Sequence, residues 1–294
     1  VKILLTGSTG QVGWELARTL SPIGEVIEVN RHQIDIADLQ GLHLAIKSYR
    51  PDVIVNPAAY TAVDKAESEQ EMAFLINGRA PEVMAEAAKE QNALLIHYST
   101  DYVFDGTKDT PYSEEDKTNP VNIYGASKLA GEAAIRAIDC DYLILRTSWV
   151  YTNRGNNFLK TILRLATERE ELNIVADQIG SPTWSRLIAE VTAHMVWQTI
   201  RRKQVGEFQS GTYHLTSTGE TSWHGFAEKI VNLAREQAQL TIKNQRINPI
   251  PTSGYPVPAK RPANSRLNCH KLEQEFNLAL PSWENSLNLC MQSN

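Results

Sequence analysis

The sequence predicts an α/β protein built as a Rossmann-type doubly wound parallel sheet, with a smaller C-terminal substrate domain. Three observations carry that expectation. Short apolar segments alternate with segments of helical periodicity through the first half of the chain. The strand segments are almost continuously apolar, as strands buried on both faces are. The first of them runs directly into a glycine-rich turn and then a helix, the unit that cradles a pyrophosphate.

Taken in order, residues 2–6 form the first apolar strand and residues 14–20 the helix that follows the glycines. Residues 25–29 read as the second strand, 39–49 as a helix and 51–56 as a buried strand. Helices follow at 71–77 and 81–91, then strands at 93–99 and 142–146. Gly7, Asn56, Ser99 and Thr147 each fall where a strand ends, the edge at which such sheets hold ligands. The second half is less regular. Helices are expected over 155–170, 185–202, 223–239 and 269–276, and a late strand over 211–215 rejoins the sheet. Prolines cluster between 249 and 262 and predict ordered irregular backbone there. The resulting division assigns 1–150 with about 184–216 to dinucleotide binding, and about 151–183 with 217–294 to the substrate.

Composition narrows the function classes. The chain has 294 residues, 42% hydrophobic and 21% charged, with a net charge of −5, enough for one large or two modest cores. Mild acidity without a basic run argues against nucleic acid as a partner. No apolar stretch reaches the ~18 residues of a membrane span, so no membrane partner is expected. A first strand starting at Val1 leaves no room for a leader peptide. Cys140, Cys269 and Cys290 are scattered without ligand spacing, which predicts reduced thiols and a cytoplasmic location.

Two motifs carry chemistry. Gly7, Gly10 and Gly13 are spaced Gly-x-x-Gly-x-x-Gly between strand and helix, where they let backbone N–H groups approach an anion. Tyr124 and Lys128 stand four apart, on one face of a helix, so phenol and ammonium can share a pocket. A neighbouring cation should lower a tyrosine pKa that starts near ~10, tuning it to exchange a proton with a substrate oxygen.

With the segment 98–104 at a strand end, these motifs resemble the extended short-chain dehydrogenases/reductases. Residues 9–16, 61–67, 146–151, 155–158, 177–183 and 261–267 make the chain most similar to the dTDP-4-dehydrorhamnose reductase family, over nearly its whole length. That resemblance implies reduction of a 4-keto sugar nucleotide, a dTDP-sugar, by a nicotinamide cofactor. It implies Tyr124 as proton donor, Lys128 as holder of the nicotinamide ribose, and Thr100 as the hydroxyl on the substrate oxygen. Cofactor contacts are expected from Gly7, Gly10, Gln11, Val12, Gly13, Asn30, Arg31, Asp35, Ile36, Ala58, Ala59, Tyr60, Thr61 and Tyr98, besides Tyr124 and Lys128. Substrate contacts are expected from Thr100, Asp101, Tyr102, Trp149, Asn157 and Arg261.

Three local readings refine this. Dehydratases of the same fold resemble Thr-Asp-Glu where this chain has Thr100-Asp101-Tyr102, so elimination lacks its second carboxylate and simple reduction is favoured. The second strand ends in Asn30-Arg31 rather than an acidic residue, which removes repulsion of a 2′-phosphate and offers it a guanidinium; NADPH is expected, with NADH tolerated. Some relatives resemble dimers bridged by Mg²⁺, to which Glu15 and Glu284 correspond. Arg186 stands where an acid would be, so no metal is expected, and an ion pair from Arg186 to a glutamate across an interface is the alternative; a homodimer remains the expected assembly. The rival readings are a reductase or epimerase acting on another sugar nucleotide, and a non-catalytic regulatory subunit resembling that of methionine adenosyltransferase.

Overall fold

The computed structural model describes residues 1–237 and 240–292. β1 (Lys2–Leu5) leads through the glycine turn into α1 (Gln11–Thr19), followed by β2 (Glu25–Glu28), α2 (Leu39–Tyr49) and β3 (Val53–Asn56). Short helices α3 (Val63–Ala66) and α4 (Gln70–Phe74) pass into a π-helical turn at Leu75–Arg79 and then α5 (Ala80–Gln91). β4 (Leu94–Thr100), a 3₁₀ turn at Asp101–Val103, α6 (Ile123–Ile138) and β5 (Asp141–Thr147) complete the first half.

Beyond it come β6 (Val150–Tyr151), α7 (Phe158–Glu168), β7 (Glu171–Val175), β8 (Ile179–Gly180), β9 (Thr183–Trp184) and α8 (Ser185–Gln204). β10 (Gly211–His214), β11 (Thr221–Ser222), α9 (Trp223–Gln237), β12 (Arg246–Ile250), α10 (His270–Phe276) and α11 (Trp283–Gln292) follow. The expected end of the helix at 223–239 includes Ala238 and Gln239, which lie outside the described residues.

The central sheet runs β10-β5-β4-β3-β1-β2, every pair parallel. Strand order reverses between β1 and β3, opening a crevice at their carboxyl ends. Period-two alternation divides each strand between two cores. Ile3, Leu5, Val53, Val55, Leu94, Ile96, Leu143 and Leu145 face α1 and α8, while Leu4, Ile54, Leu95 and Ile144 face the side of α2 and α5. Burial of each such side chain contributes about 1.5–3 kcal/mol.

Local chemistry sets the helix ends. Asp38 accepts from the Gly41 N–H at 3.0 Å and Asn122 from the Gly125 N–H at 2.8 Å, satisfying first-turn donors. α2, α5, α6 and α10 stop on left-handed residues, Arg50, Asn92, Asp139 and Asn277. Gly13 is obligatory for close approach: a Cβ there would meet the Gly7 carbonyl oxygen at 2.1 Å.

Two expectations in the second half change. The proline-rich stretch is not all irregular backbone, since β12 pairs in parallel register with β7, Ile247 beside Leu172 and Pro249 beside Ile174. The pair is a sheet of two edge strands, and on an edge a residue without an N–H costs no ladder bond. The chain also ends its described part in α11, whose Trp283, Leu287 and Cys290 are buried. The core facing α1 and α8 continues without a break through Leu159 and Ile162 of α7, Phe226 and Ile230 of α9 and Leu287 of α11.

Candidate active site

A cavity of about 520 Å³ opens at the crevice between β1 and β3. The glycine turn forms one wall through Gly7, Gly10, Gln11, Val12 and Gly13; Asn30, Arg31, Asp35 and Ile36 form the end beyond β2. Ala58, Ala59 and Thr61 run along it beyond β3, and Tyr98, Ser99, Tyr124 and Lys128 close the other end. The glycine turn and the start of α1 thus line the cavity where a helix N-terminus can hold an anion. Tyr60 is the exception among the expected cofactor contacts, because its hydroxyl turns to Glu69 (2.5 Å) instead of lining the cavity.

The loop at residues 58–61 is held by a residue that sequence reasoning passed over. Asn77 in the π-helical turn accepts from the Tyr60 N–H at 2.8 Å and donates to the Tyr60 carbonyl at 3.0 Å and to the Ser127 hydroxyl at 3.0 Å. One buried amide therefore ties the cavity wall to the helix that carries Tyr124 and Lys128. Helical periodicity alone does not distinguish such a residue from any other helical Asn.

α6 brings Tyr124 and Lys128 to the same cavity, as their spacing required. The electrostatics differ from the expected pattern. Burial pushes Tyr124 up to about 12; a hydrogen bond with Thr100 opposes this and the Asp101 charge adds to it. Lys128 does not lower it, because its ammonium is turned toward β4, donating to the Tyr98 carbonyl at 2.5 Å and lying 3.3 Å from His97 Nε2. Burial depresses Lys128 itself to about 8, with Glu132 opposing. In the chain's own field Tyr124 is thus a protonated phenol at neutral pH, the form a proton donor needs.

On the far side of Tyr124, the 3₁₀ turn places Thr100, Asp101 and Tyr102 together. The Thr100 hydroxyl donates to Asp101 at 3.0 Å and receives the Tyr102 N–H at 3.2 Å. Tyr102 meets Tyr124 edge to face, ring centroids 5.5 Å apart, and the Arg261 guanidinium lies over Tyr102 at 5.9 Å. Arg261 is anchored by Asp64 at 2.8 Å and leaves Nη1 without a hydrogen-bond partner. Burial lifts Asp101 to about 6, against hydrogen bonds from Ser265 and Thr100.

Trp149 and Asn157 are engaged by other partners. Trp149, in a left-handed conformation (φ +47°), stacks on Trp223 with centroids 3.6 Å apart. Asn157 caps α7, accepting from the Lys160 N–H at 3.1 Å and donating to the Thr152 and Arg154 carbonyls.

Glu15, one of the residues expected around a metal, sits in mainly cationic surroundings. Buried Glu15 is raised mainly by burial, and the charges facing it are Arg186, Arg18, Arg154 and Glu190. A divalent ion there would meet three guanidinium groups. Arg186 pairs with Glu190 one turn along its own helix at 2.9 Å. Glu284 opens α11 beside Gly219 and is not among the charges that face Glu15. Among the described residues no group of three acidic, histidine or cysteine side chains could hold a metal.

Comparison with known proteins matches this architecture end to end. The family model described as RmlD substrate binding domain matches residues 1–294. A dTDP-4-dehydrorhamnose reductase of Burkholderia thailandensis is 52% identical, covering 99% of this chain and 98% of that protein. The crystal structure of a dTDP-4-dehydrorhamnose reductase from Clostridium acetobutylicum superposes with a TM-score of 0.89 at 36% identity, covering 99% of both chains. One from Bacillus anthracis, solved in complex with NADP, gives 0.87 at 36% identity over 100% of this chain and 99% of that one. On its matched length, its identity to these relatives and its fold, the chain belongs to the dTDP-4-dehydrorhamnose reductase family.

Proposed function

We propose that this protein reduces the 4-keto group of dTDP-4-dehydro-6-deoxy-L-mannose to give dTDP-L-rhamnose, using NADPH and tolerating NADH. The observation that carries the reading is the pairing of Tyr124 with Thr100, where Tyr124 and Lys128 line the cavity that the glycine turn walls, in a chain of this family. A nicotinamide cofactor held in this cavity would supply hydride for the ketone carbon. Tyr124 gives its phenolic proton to the carbonyl oxygen, and the Thr100 hydroxyl positions that oxygen and stabilises its developing charge. Lys128 would hold the nicotinamide ribose, and the glycine turn the pyrophosphate.

Arg31, exposed at the cavity's β2 end, supports selection of a 2′-phosphate by a charge-assisted hydrogen bond. Arg261 and Tyr102 are the proposed substrate contacts nearest the proton donor, with Asp101 between them and Thr100. Trp149 and Asn157 belong to the part of the chain, about 151–183 with 217–294 and its boundary, that would choose the sugar and base. Buried unpaired Cys140, Cys269 and Cys290 support a reducing, cytoplasmic setting, and no helix of the described residues is long and apolar enough to cross a membrane.

The test is NADPH oxidation followed optically with the dTDP-linked ketone against its UDP- and GDP-linked analogues. Turnover confined to the dTDP compound supports the reading. Turnover only with another nucleotide reassigns the substrate, and cofactor binding without turnover on any ketone supports a regulatory subunit.

A further inference from the structure

Behind Lys128 lies a line of buried polar groups that plays no part in the reaction described above. His97 of β4 is fully buried and does not line the cavity. Its Nε2 lies 3.3 Å from Lys128 Nζ and its Nδ1 lies 3.1 Å from the Asn56 amide nitrogen on β3. Asn56 in turn accepts from the hydroxyl of Thr6, just after β1, at 2.7 Å, and that hydroxyl is 3.5 Å from the Val55 carbonyl. β4, β3 and the end of β1, with α6 packed against them, thus place Lys128, His97, Asn56 and Thr6 in one file.

A neutral imidazole carries one proton, so its two nitrogens cannot both donate or both accept. His97 is neutral, since burial and then the Lys128 charge hold it well below the ordinary histidine range. If Lys128 is charged, Nε2 must accept from it; the ring proton is then on Nδ1 and Asn56 must present its carbonyl oxygen. The Asn56 NH₂ then donates to Thr6, and Thr6 to Val55. If Lys128 is neutral, its lone pair can accept and every bond can reverse: Nε2–H donates to the amine, Asn56 NH₂ donates to Nδ1, and Thr6 donates to the Asn56 oxygen. The second arrangement is the one with the amide as placed here. The first needs only rotation of the amide, whose oxygen and nitrogen are interchangeable in shape.

We propose that His97 is a positioning residue that acts through Lys128: with Asn56 and Thr6 it forms a reversible hydrogen-bond wire that satisfies both charge states of the lysine in a buried site. Burying an unpartnered polar group is costly, so a lysine lacking such a wire would lose support for its charged form. The other groups facing Lys128 do not replace this function. On its own helix stand Tyr124 and Glu132, and Glu132 is already engaged by Arg146, Arg136 and Ser99. From β4 comes the Tyr98 carbonyl, which only accepts. The proposal rests on the reading of Lys128 as a functional group, and its first test needs no turnover.

That test is the tautomer of His97 in the wild-type protein, read from ring ¹⁵N shifts with Lys128 titrated from about pH 6 to about pH 10. His97→Gln supplies the assignment. The expected result is a change from Nδ1–H to Nε2–H across the Lys128 titration; one unchanged tautomer throughout overturns the proposal. The second test compares pH profiles of kcat/KM for NADPH. His97→Leu removes the acceptor and should move the alkaline limb down by about one pH unit, a tenfold loss above it, whereas His97→Gln, whose amide can still accept, should keep the limb near wild type. Equal profiles for wild type and His97→Leu would leave the histidine as packing only. Absence of turnover in all three proteins would count against the proposed function and leave the tautomer result standing.

Discussion

Removal of the Glu132 charge offers the sharpest stability test. Glu132 is fully buried on α6, one turn beyond Lys128, and receives Arg146 through Nε at 2.9 Å and Nη2 at 2.7 Å, Ser99 at 2.5 Å and Arg136 at 3.1 Å. Burial alone would raise its pKa, but the hydrogen bonds and charge of Arg146 overcome this and hold it below the ordinary carboxylate value. Glu132→Gln keeps the shape and leaves Arg146, only 3% exposed, as a buried cation without a counter-charge. Breaking a buried pair this way costs about 3–5 kcal/mol. An unfolding entropy of ~2.1 cal/mol/K per residue over this length gives ~0.6 kcal/mol/K, so Tm should fall by about 5–8 °C. Thermal melting by circular dichroism measures it. Adding Arg146→Met to the same chain should recover much of the loss, because the orphaned charge goes with it. If the single variant melts within a degree or two of the parent, or the double loses the sum of both singles, the pair does not stabilise the fold as argued.

Further outcomes follow from the site. Tyr124→Phe removes the proton donor and should lower kcat about 10²–10⁴-fold while NADPH still quenches or transfers fluorescence on binding; near-parental kcat would remove Tyr124 from the chemistry. Arg31→Ala should cut the NADPH-to-NADH ratio of kcat/KM by about tenfold, the loss of one exposed charge-assisted contact, and an unchanged ratio would place cofactor choice elsewhere. Activity should fall as pH rises through about 8, where Lys128 loses its charge. Stability should move the other way in that window: the unfolded chain holds the lysine proton up to the ordinary lysine value of 10.5, so it binds more protons than the folded one and the fold gains with rising pH. A coincident loss of activity and of folded protein would reassign the alkaline limb to denaturation.

The sheet was legible because its strands are buried on both faces and so read as apolar runs; the helix at 39–49 matched its periodicity to the residue. The glycine turn and the Tyr124–Lys128 spacing were legible because a local motif fixes local geometry. What escaped depends on contacts between distant segments. β7 and β12 stabilise each other across more than seventy residues, and a proline in the partner disguised it. Asn56, His97 and Thr6 meet only when three strands align, and Asn77 gains its role only from the loop folded over it. Glu132 could have been found: Tyr124, Lys128, Glu132 and Arg136 recur every fourth residue, a stripe of ionisable groups along one helix face. The sign of the Tyr124 shift was misjudged because spacing says that two groups share a face, not which way a flexible ammonium turns.

The unbroken apolar core from the sheet through α7, α9 and α11 carries one further consequence. Two lobes joined by a linker can swing as rigid bodies, whereas lobes that share interdigitated side chains move only at the cost of opening that packing. Recognition of different sugars across such relatives should therefore reside in surface loops rather than in hinge bending. A chimaera that exchanges whole lobes would inherit a mismatched seam; one that exchanges only loops would keep the melting behaviour of its parent.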